Sequence, residues 1–172
     1  MRRRDVLLLG AGAALAGCGF RPMYGENGAI ETGPAAAELA AVRVARIPER
    51  NGQLLRRALE DRLPSPTGQG RYDLRVGVNF GVELEGFRRD GTPSRVRYIA
   101  SANWYLFTMA TPPVQVATGA ERAFDAYNIP ENQFFAADLS RDTMERRLMD
   151  QLAEDIVTRL AVVLIRQGAA RA

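Results

Sequence analysis

Residues 72–84 read YDLRVGVNFGVEL, and the period of this stretch decides the fold. Tyr72, Leu74, Val76, Val78, Phe80, Val82 and Leu84 hold the even positions; Asp73, Arg75, Gly77, Asn79, Gly81 and Glu83 hold the odd ones. Successive side chains of a strand point to opposite faces. Strict alternation over this length therefore predicts about 43 Å of strand with one apolar and one polar face.

Working outward, Gly86 to Pro93 carries Arg88-Arg89-Asp90-Gly91 and reads as a turn. A second strand is expected over Arg95–Met109, with Val96, Tyr98, Ala100, Ala102, Trp104 and Leu106 on one face. Thr111-Pro112-Pro113 turns the chain into a third strand, from Val114 to about Phe124. Three consecutive strands joined by turns make an antiparallel meander. Upstream, Leu39–Ile47 is expected to be a strand because Val42 and Val44 flank Arg43, and Pro48 ends it. Asn51 is placed to cap a helix over Gln53–Leu63, whose apolar residues 54, 55, 58, 59 and 63 share a face. Pro64 to Gly68 stops that helix. Tyr127-Asn128-Ile129-Pro130 closes the sheet. Beyond about residue 132, Met144, Leu148, Leu152, Ile156, Leu160 and Leu164 recur every fourth position to about Gln167, and Arg146, Arg147, Asp150, Glu154, Asp155 and Arg159 fill the opposite side. That is an amphipathic helix. The order β-α-β-β-β-α predicts an α+β fold. It is a four-stranded, mostly antiparallel sheet with two helices packed on one face and a polar second face. Residues 39–168 form one domain and 169–172 a tail.

Composition narrows the chemistry. The chain has 172 residues, room for one domain with a sizeable core. All 23 cations are arginine; with 20 acids the net charge is +3, with no concentrated basic face of the kind a nucleic-acid module carries. Histidine is absent and cysteine occurs once. Ser-His-Asp and Cys-His catalysis and His-ligated zinc are therefore excluded, as is an internal disulfide. The expectation is a protein with no metal, no cofactor and no catalytic activity.

The N-terminus reads as an address. Three arginines precede an apolar run from Val6 to Ala16. The run suits a signal peptide and is shorter than the roughly 20 apolar residues of a membrane span. A strand followed by a Gly-x-Gly dinucleotide loop is the competing reading, but Gly17, Gly19 and Pro22 break the chain before a helix can form. Leu15-Ala16-Gly17-Cys18 resembles the bacterial lipobox, in which small residues admit the processing protease and the cysteine sulfur accepts diacylglycerol. Residues 1–17 are thus the signal peptide, Cys18 the lipidated first residue, and 18–38 a Gly-, Ala- and Pro-rich tether. Removing 1–17 leaves a net charge of +1. Gly19 follows the cysteine where an Asp would favour inner-membrane retention, so the expected destination is the outer membrane. Acyl chains worth about 0.8 kcal/mol per buried methylene would hold it there. Arg3-Arg4 leaves open export by the general or the twin-arginine route.

Gly17-Cys18-Gly19-Phe20-Arg21-Pro22-Met23-Tyr24-Gly25 resembles the opening of the LptE family of lipopolysaccharide-assembly lipoproteins. The element order over about 40–167 and the Tyr127-Asn128 pair ahead of the long helix fit as well. The resemblance implies a periplasm-facing, lipid-anchored outer-membrane protein. It implies one that plugs and helps assemble an LptD-type β-barrel, binds lipopolysaccharide on its way to the outer leaflet, and is no enzyme. The alternative is another outer-membrane lipoprotein acting as a transport or envelope-assembly accessory subunit.

Two groups of residues stand out as contacts. Arg88, Arg89, Arg95 and Arg97 cluster around one hairpin, and paired guanidinium forks suit phosphorylated or carboxylated sugars. They are the candidate lipopolysaccharide contacts, against the plain reading of a solvated rim. Tyr105 and Phe107 fall on the face opposite Trp104 and are candidates for a partner surface. Glu83 and Glu85 share a strand face about 6.6–7 Å apart, a spacing of glycosidase carboxylates, but no other catalytic group supports them.

Overall fold

The computed structural model describes residues 35–65, 68–131 and 133–171. The signal peptide, Cys18 and the Gly17–Gly25 motif lie outside the described residues, as does all of the tether up to residue 34 and the last residue of the tail. The elements are α1 (Ala36–Leu39), β1 (Val42–Val44), α2 (Glu49–Arg62), β2 (Tyr72–Phe87), β3 (Pro93–Thr108), β4 (Gln115–Asn128) and α3 (Phe134–Arg171). The sheet order is β1-β2-β3-β4. β1 lies parallel to β2, with Val42 opposite Tyr72, and the other two pairings are antiparallel. This is the α+β fold expected from the periodicity: an open sheet whose alternating apolar positions face helices.

The core sits between the even face of the sheet and the helices. Leu74 of β2, Ala100, Ala102, Trp104 and Leu106 of β3, and Ala123 of β4 are fully buried there. They meet Leu55 and Leu59 of α2 and the every-fourth-residue stripe Met144, Leu148, Leu152, Ile156, Leu160 and Leu164 of α3. Arg147 pairs with Asp125 at 2.8 Å and Arg159 with Glu121 at 3.4 Å, fastening α3 to β4 along its length. The helix has 38 residues, about 57 Å, but its charged side keeps it from qualifying as a membrane span among the described residues. Gly119 lies under the Trp104 ring, where a Cβ would come within 2.4 Å of Cζ2.

Four local expectations are corrected. The strand predicted over Leu39–Ile47 forms only at Val42–Val44, and 36–39 is a helical turn. Ala35, Leu39, Ala40, Ala41 and Val42 are all buried, so nothing in that run alternates, and β2 offers it only three paired positions. The helix expected over Gln53–Leu63 is α2, which starts at Glu49 rather than after an Asn51 cap. Pro48 and Glu49, the latter at φ 66°, turn the chain directly from β1 into it. The apolar face of β2 outruns its cover: Tyr72, Leu74 and Val76 are buried, whereas Val82 is 55% and Leu84 54% exposed. α2 is fourteen residues, about 21 Å, and the pairing of β1 with β2 ends at Leu74, so neither covers the far half of β2. The other face of the sheet is not purely polar either, because Ile99, Tyr105, Phe107 and Phe124 lie on it.

Candidate functional site

The helix-free face of the sheet is built from the odd residues of β2 and β3 and the residues of β4 that pair with them. Its rows follow from the register: Glu85–Arg95–Asn128, Glu83–Arg97–Ala126, Gly81–Ile99–Phe124, Asn79–Ser101–Arg122, Gly77–Asn103–Ala120 and Arg75–Tyr105–Thr118. Directly opposed side chains on one face sit about 4.5–5.5 Å apart at Cβ, so each row is a contact set.

The hairpin end of this face carries an ionic ladder. Arg95 Nε meets Glu85 Oε2 at 3.2 Å and its Nη1 donates to Asn128 Oδ1 at 2.9 Å. Arg97 reaches Glu85 Oε1 at 2.5 Å and Glu83 Oε2 at 3.8 Å. The two glutamates thus serve as ion-pair partners of Arg95 and Arg97. Among the described residues no group of three metal-ligating side chains assembles.

The four hairpin arginines separate into three situations. Arg88 turns into the hairpin: its Nη1 donates to Pro93 O at 2.9 Å and Thr92 Oγ1 at 3.2 Å, and its Nη2 donates to Ile129 O. The planar fork ties the turn to the end of β4. Beside it, the N–H and hydroxyl of Thr92 donate to Asp90 and hold its carboxyl below the usual carboxylate range. Arg89 is exposed at the tip. Arg95 and Arg97 lie on the sheet face in the ladder. Tyr105 and Phe107 occupy the opposite end of the same face, about 33 Å of strand away from Glu85 as counted along β2. Tyr105 is 43% exposed, and the Arg75 guanidinium stacks 4.6 Å from the Phe107 centroid.

Between the two ends lies a depression of about 570 Å³ lined by Glu83, Arg97, Ile99, Arg122 and Phe124. Phe124 is 69% exposed, and Arg122 makes no ion pair among the described residues. An apolar floor with a guanidinium on either side can hold a molecule that is anionic at one end and hydrocarbon at the other. Arg122 and Phe124 flank the buried Ala123 in the sequence. That alternation marks them as sharing a face, but only the register with Asn79 and Gly81 brings them to Arg97.

The helix layer carries the remaining electrostatic features. Arg50 meets Asp142 with two bonds of 3.2 and 3.0 Å, which raises the guanidinium value and lowers that of the carboxyl. Burial, aided by the charges of Glu121 and Glu154, pushes Asp155 above the carboxylate range. Burial beside Tyr98 raises the Tyr127 phenol.

Comparison with known proteins adds the following. The family model LptE, described as lipopolysaccharide-assembly, matches residues 39–160. No curated protein matches the chain. Among solved structures, a candidate lipoprotein from Caulobacter crescentus CB15 is similar at 25% identity, with 76% of this chain and 97% of that chain covered and a TM-score of 0.62. The rare lipoprotein B of Shewanella oneidensis is similar at 12% identity, with 74% and 96% covered and a TM-score of 0.55. A lipoprotein B from Nitrosomonas europaea follows at 9% identity, with 70% and 79% covered and a TM-score of 0.51. The last two speak to the fold alone.

Proposed function

The chain belongs to the LptE lipopolysaccharide-assembly family, and from that premise we propose that it works as a lipid-anchored plug and assembly factor for an LptD-type outer-membrane β-barrel. Cys18 carries the anchor, and the domain faces the periplasm. The role is binding and structural. Lipopolysaccharide meets the open sheet face, with Arg97 and Arg122 taking its anionic groups and Ile99 and Phe124 its hydrocarbon. The depression that these four residues line together with Glu83 is the observation that carries this reading, because a glycolipid presents the same pairing of charge and alkane. Arg95 adds to the cationic rim, and Arg89 extends it at the hairpin tip. Arg88 supports the rim by holding the turn. Tyr105 and Phe107 are the residues of this face proposed to meet the barrel wall.

The test is a tagged pull-down from detergent-solubilised outer membrane, read by mass spectrometry and by lipopolysaccharide staining. A large β-barrel recovered near one-to-one, with lipopolysaccharide retained by the wild type and lost from an Arg97→Glu/Arg122→Glu variant, supports the proposal. Recovery of the lipidated protein alone would favour an envelope accessory lipoprotein instead. Equal lipopolysaccharide retention by wild type and variant would remove this face from consideration.

A further inference from the structure

β1 is three residues long and forms one edge of the sheet. Ala41 O accepts from Tyr72 N–H, and Ala45 N–H donates to Leu74 O at 2.9 Å, so the odd residues face β2. Val42 and Val44 therefore turn N–H and C=O outward, where neither has a backbone partner among the described residues. Two adjoining depressions lie between this edge and α2. One, about 370 Å³, has Val42, Val44, Leu63 and Pro64 as its apolar wall and Arg43 on its border. The other, about 250 Å³, continues past the end of β1 to Arg46 and Arg57. Arg56 and Glu60, paired at 2.8 Å, border both, so four arginines meet one carboxylate here. Arg43, Arg46 and Arg57 make no ion pair among the described residues. Arg43 is also held in place: its stem lies over Gly70, where a Cβ would come within 2.7 Å of Cγ and Cδ.

We propose that β1 takes an extended, acidic segment of a partner protein as a fifth strand. Charge complementarity makes the segment acidic, and the backbone makes it a strand. A bare anion satisfies the arginines but is repelled by the outward carbonyls of Val42 and Val44 and by Glu60. A second backbone answers both the N–H and the C=O groups, and its side chains supply the carboxylates. Those on the α2 side meet Val42, Val44 and Leu63 and, past β1, Arg46 and Arg56; those on the open face meet Arg43. Short edges and edge charges keep a sheet from adding strands at random. β1 has both, and its charge has one sign. It turns away basic strands and a second copy of itself, which carries the same arginines, and admits an acidic one. The inference goes beyond the plug role and does not rest on it; a barrel segment of this chemistry would satisfy both at one-to-one.

The test uses the full mature chain, lipidated and held in detergent micelles, with a peptide of alternating valine and glutamate. The peptide should bind and should slow amide exchange at Val42 and Val44, and its valine–lysine counterpart should not. Arg43→Glu/Arg46→Glu, at two exposed positions, should weaken binding about tenfold or more. Val44→Pro keeps every charge and removes one outward N–H at an edge position where proline is tolerated, and it should also weaken binding about tenfold. Arg97→Glu/Arg122→Glu should bind the peptide as wild type does, which separates this edge from the lipopolysaccharide face. No binding at about 1 mM peptide, a dissociation constant worth only about 4 kcal/mol, overturns the proposal. So does equal binding of the lysine peptide, or binding that leaves exchange at Val42 and Val44 unchanged. Binding indifferent to Val44→Pro, or abolished by an equal concentration of inorganic phosphate, overturns it in favour of a simple anion site.

Discussion

Gly119→Ala is the substitution whose outcome the core geometry dictates most directly. Its new Cβ would lie 2.4 Å from Cζ2, 2.5 Å from Cε2 and 2.8 Å from Nε1 of Trp104. Carbon–carbon contact is comfortable at about 3.5–4.0 Å, so the ring must retreat by roughly an ångström. It has nowhere to go, because Trp104 is fully buried against the helices and is too rigid to bend away. Overpacking of this kind costs about 1–3 kcal/mol, and the conformational gain of Ala over Gly offsets about 0.5–1 of it. A net loss of about 1 kcal/mol is expected, which lowers the melting temperature by about 3–5 °C in a domain this size. Urea unfolding followed through the single tryptophan measures the loss and reports the altered ring environment in the same scan. The decisive comparison is a double-mutant cycle. Trp104→Phe removes all three clashing atoms, so in that background Gly119→Ala should cost close to nothing when followed by circular dichroism. If Gly119→Ala is neutral, or costs the same in both backgrounds, the packing argument is wrong.

Cys18→Ala should abolish palmitate labelling; label persisting in that variant refutes the lipobox reading. Arg88→Ala should destabilise the hairpin end by about 1–3 kcal/mol, since it strands the Pro93 and Ile129 carbonyls, and Arg88→Lys should rescue little because an ammonium cannot reproduce the fork. Amide exchange confined to residues 86–95 checks this, and unchanged exchange there counts against it. Asp155 has a raised value through burial first and the neighbouring Glu121 and Glu154 second. The folded state therefore binds its proton more tightly than the unfolded chain, and this contribution to stability is present below about pH 4 and lost as pH rises through the raised value. Asp155→Asn should melt higher than wild type at pH 7 and converge with it near pH 3; a difference independent of pH would assign the effect to packing instead.

Local periodicity determined most of this protein. The two-residue alternation from Tyr72 and the four-residue stripe from Met144 depend only on backbone geometry, so they are legible without any partner, and they sufficed for the meander, the long C-terminal helix and the face assignment of Trp104. Tertiary structure decided where those patterns end. Val82 and Leu84 continue the apolar alternation of β2 but lie beyond the reach of α2, and the length of a second layer is not encoded in the strand it covers. Leu39 sits next to a strand yet closes a helical turn, because burial on every side leaves no alternation to read. Arg88, Arg89, Arg95 and Arg97 are equivalent as a cluster in the sequence, but the fold draws Arg88 into the turn and leaves Arg97 beside Arg122, Ile99 and Phe124. That juxtaposition depends on strand register across three strands, a long-range pairing that residues many positions apart settle only when the sheet assembles, with Gly119 seated under Trp104.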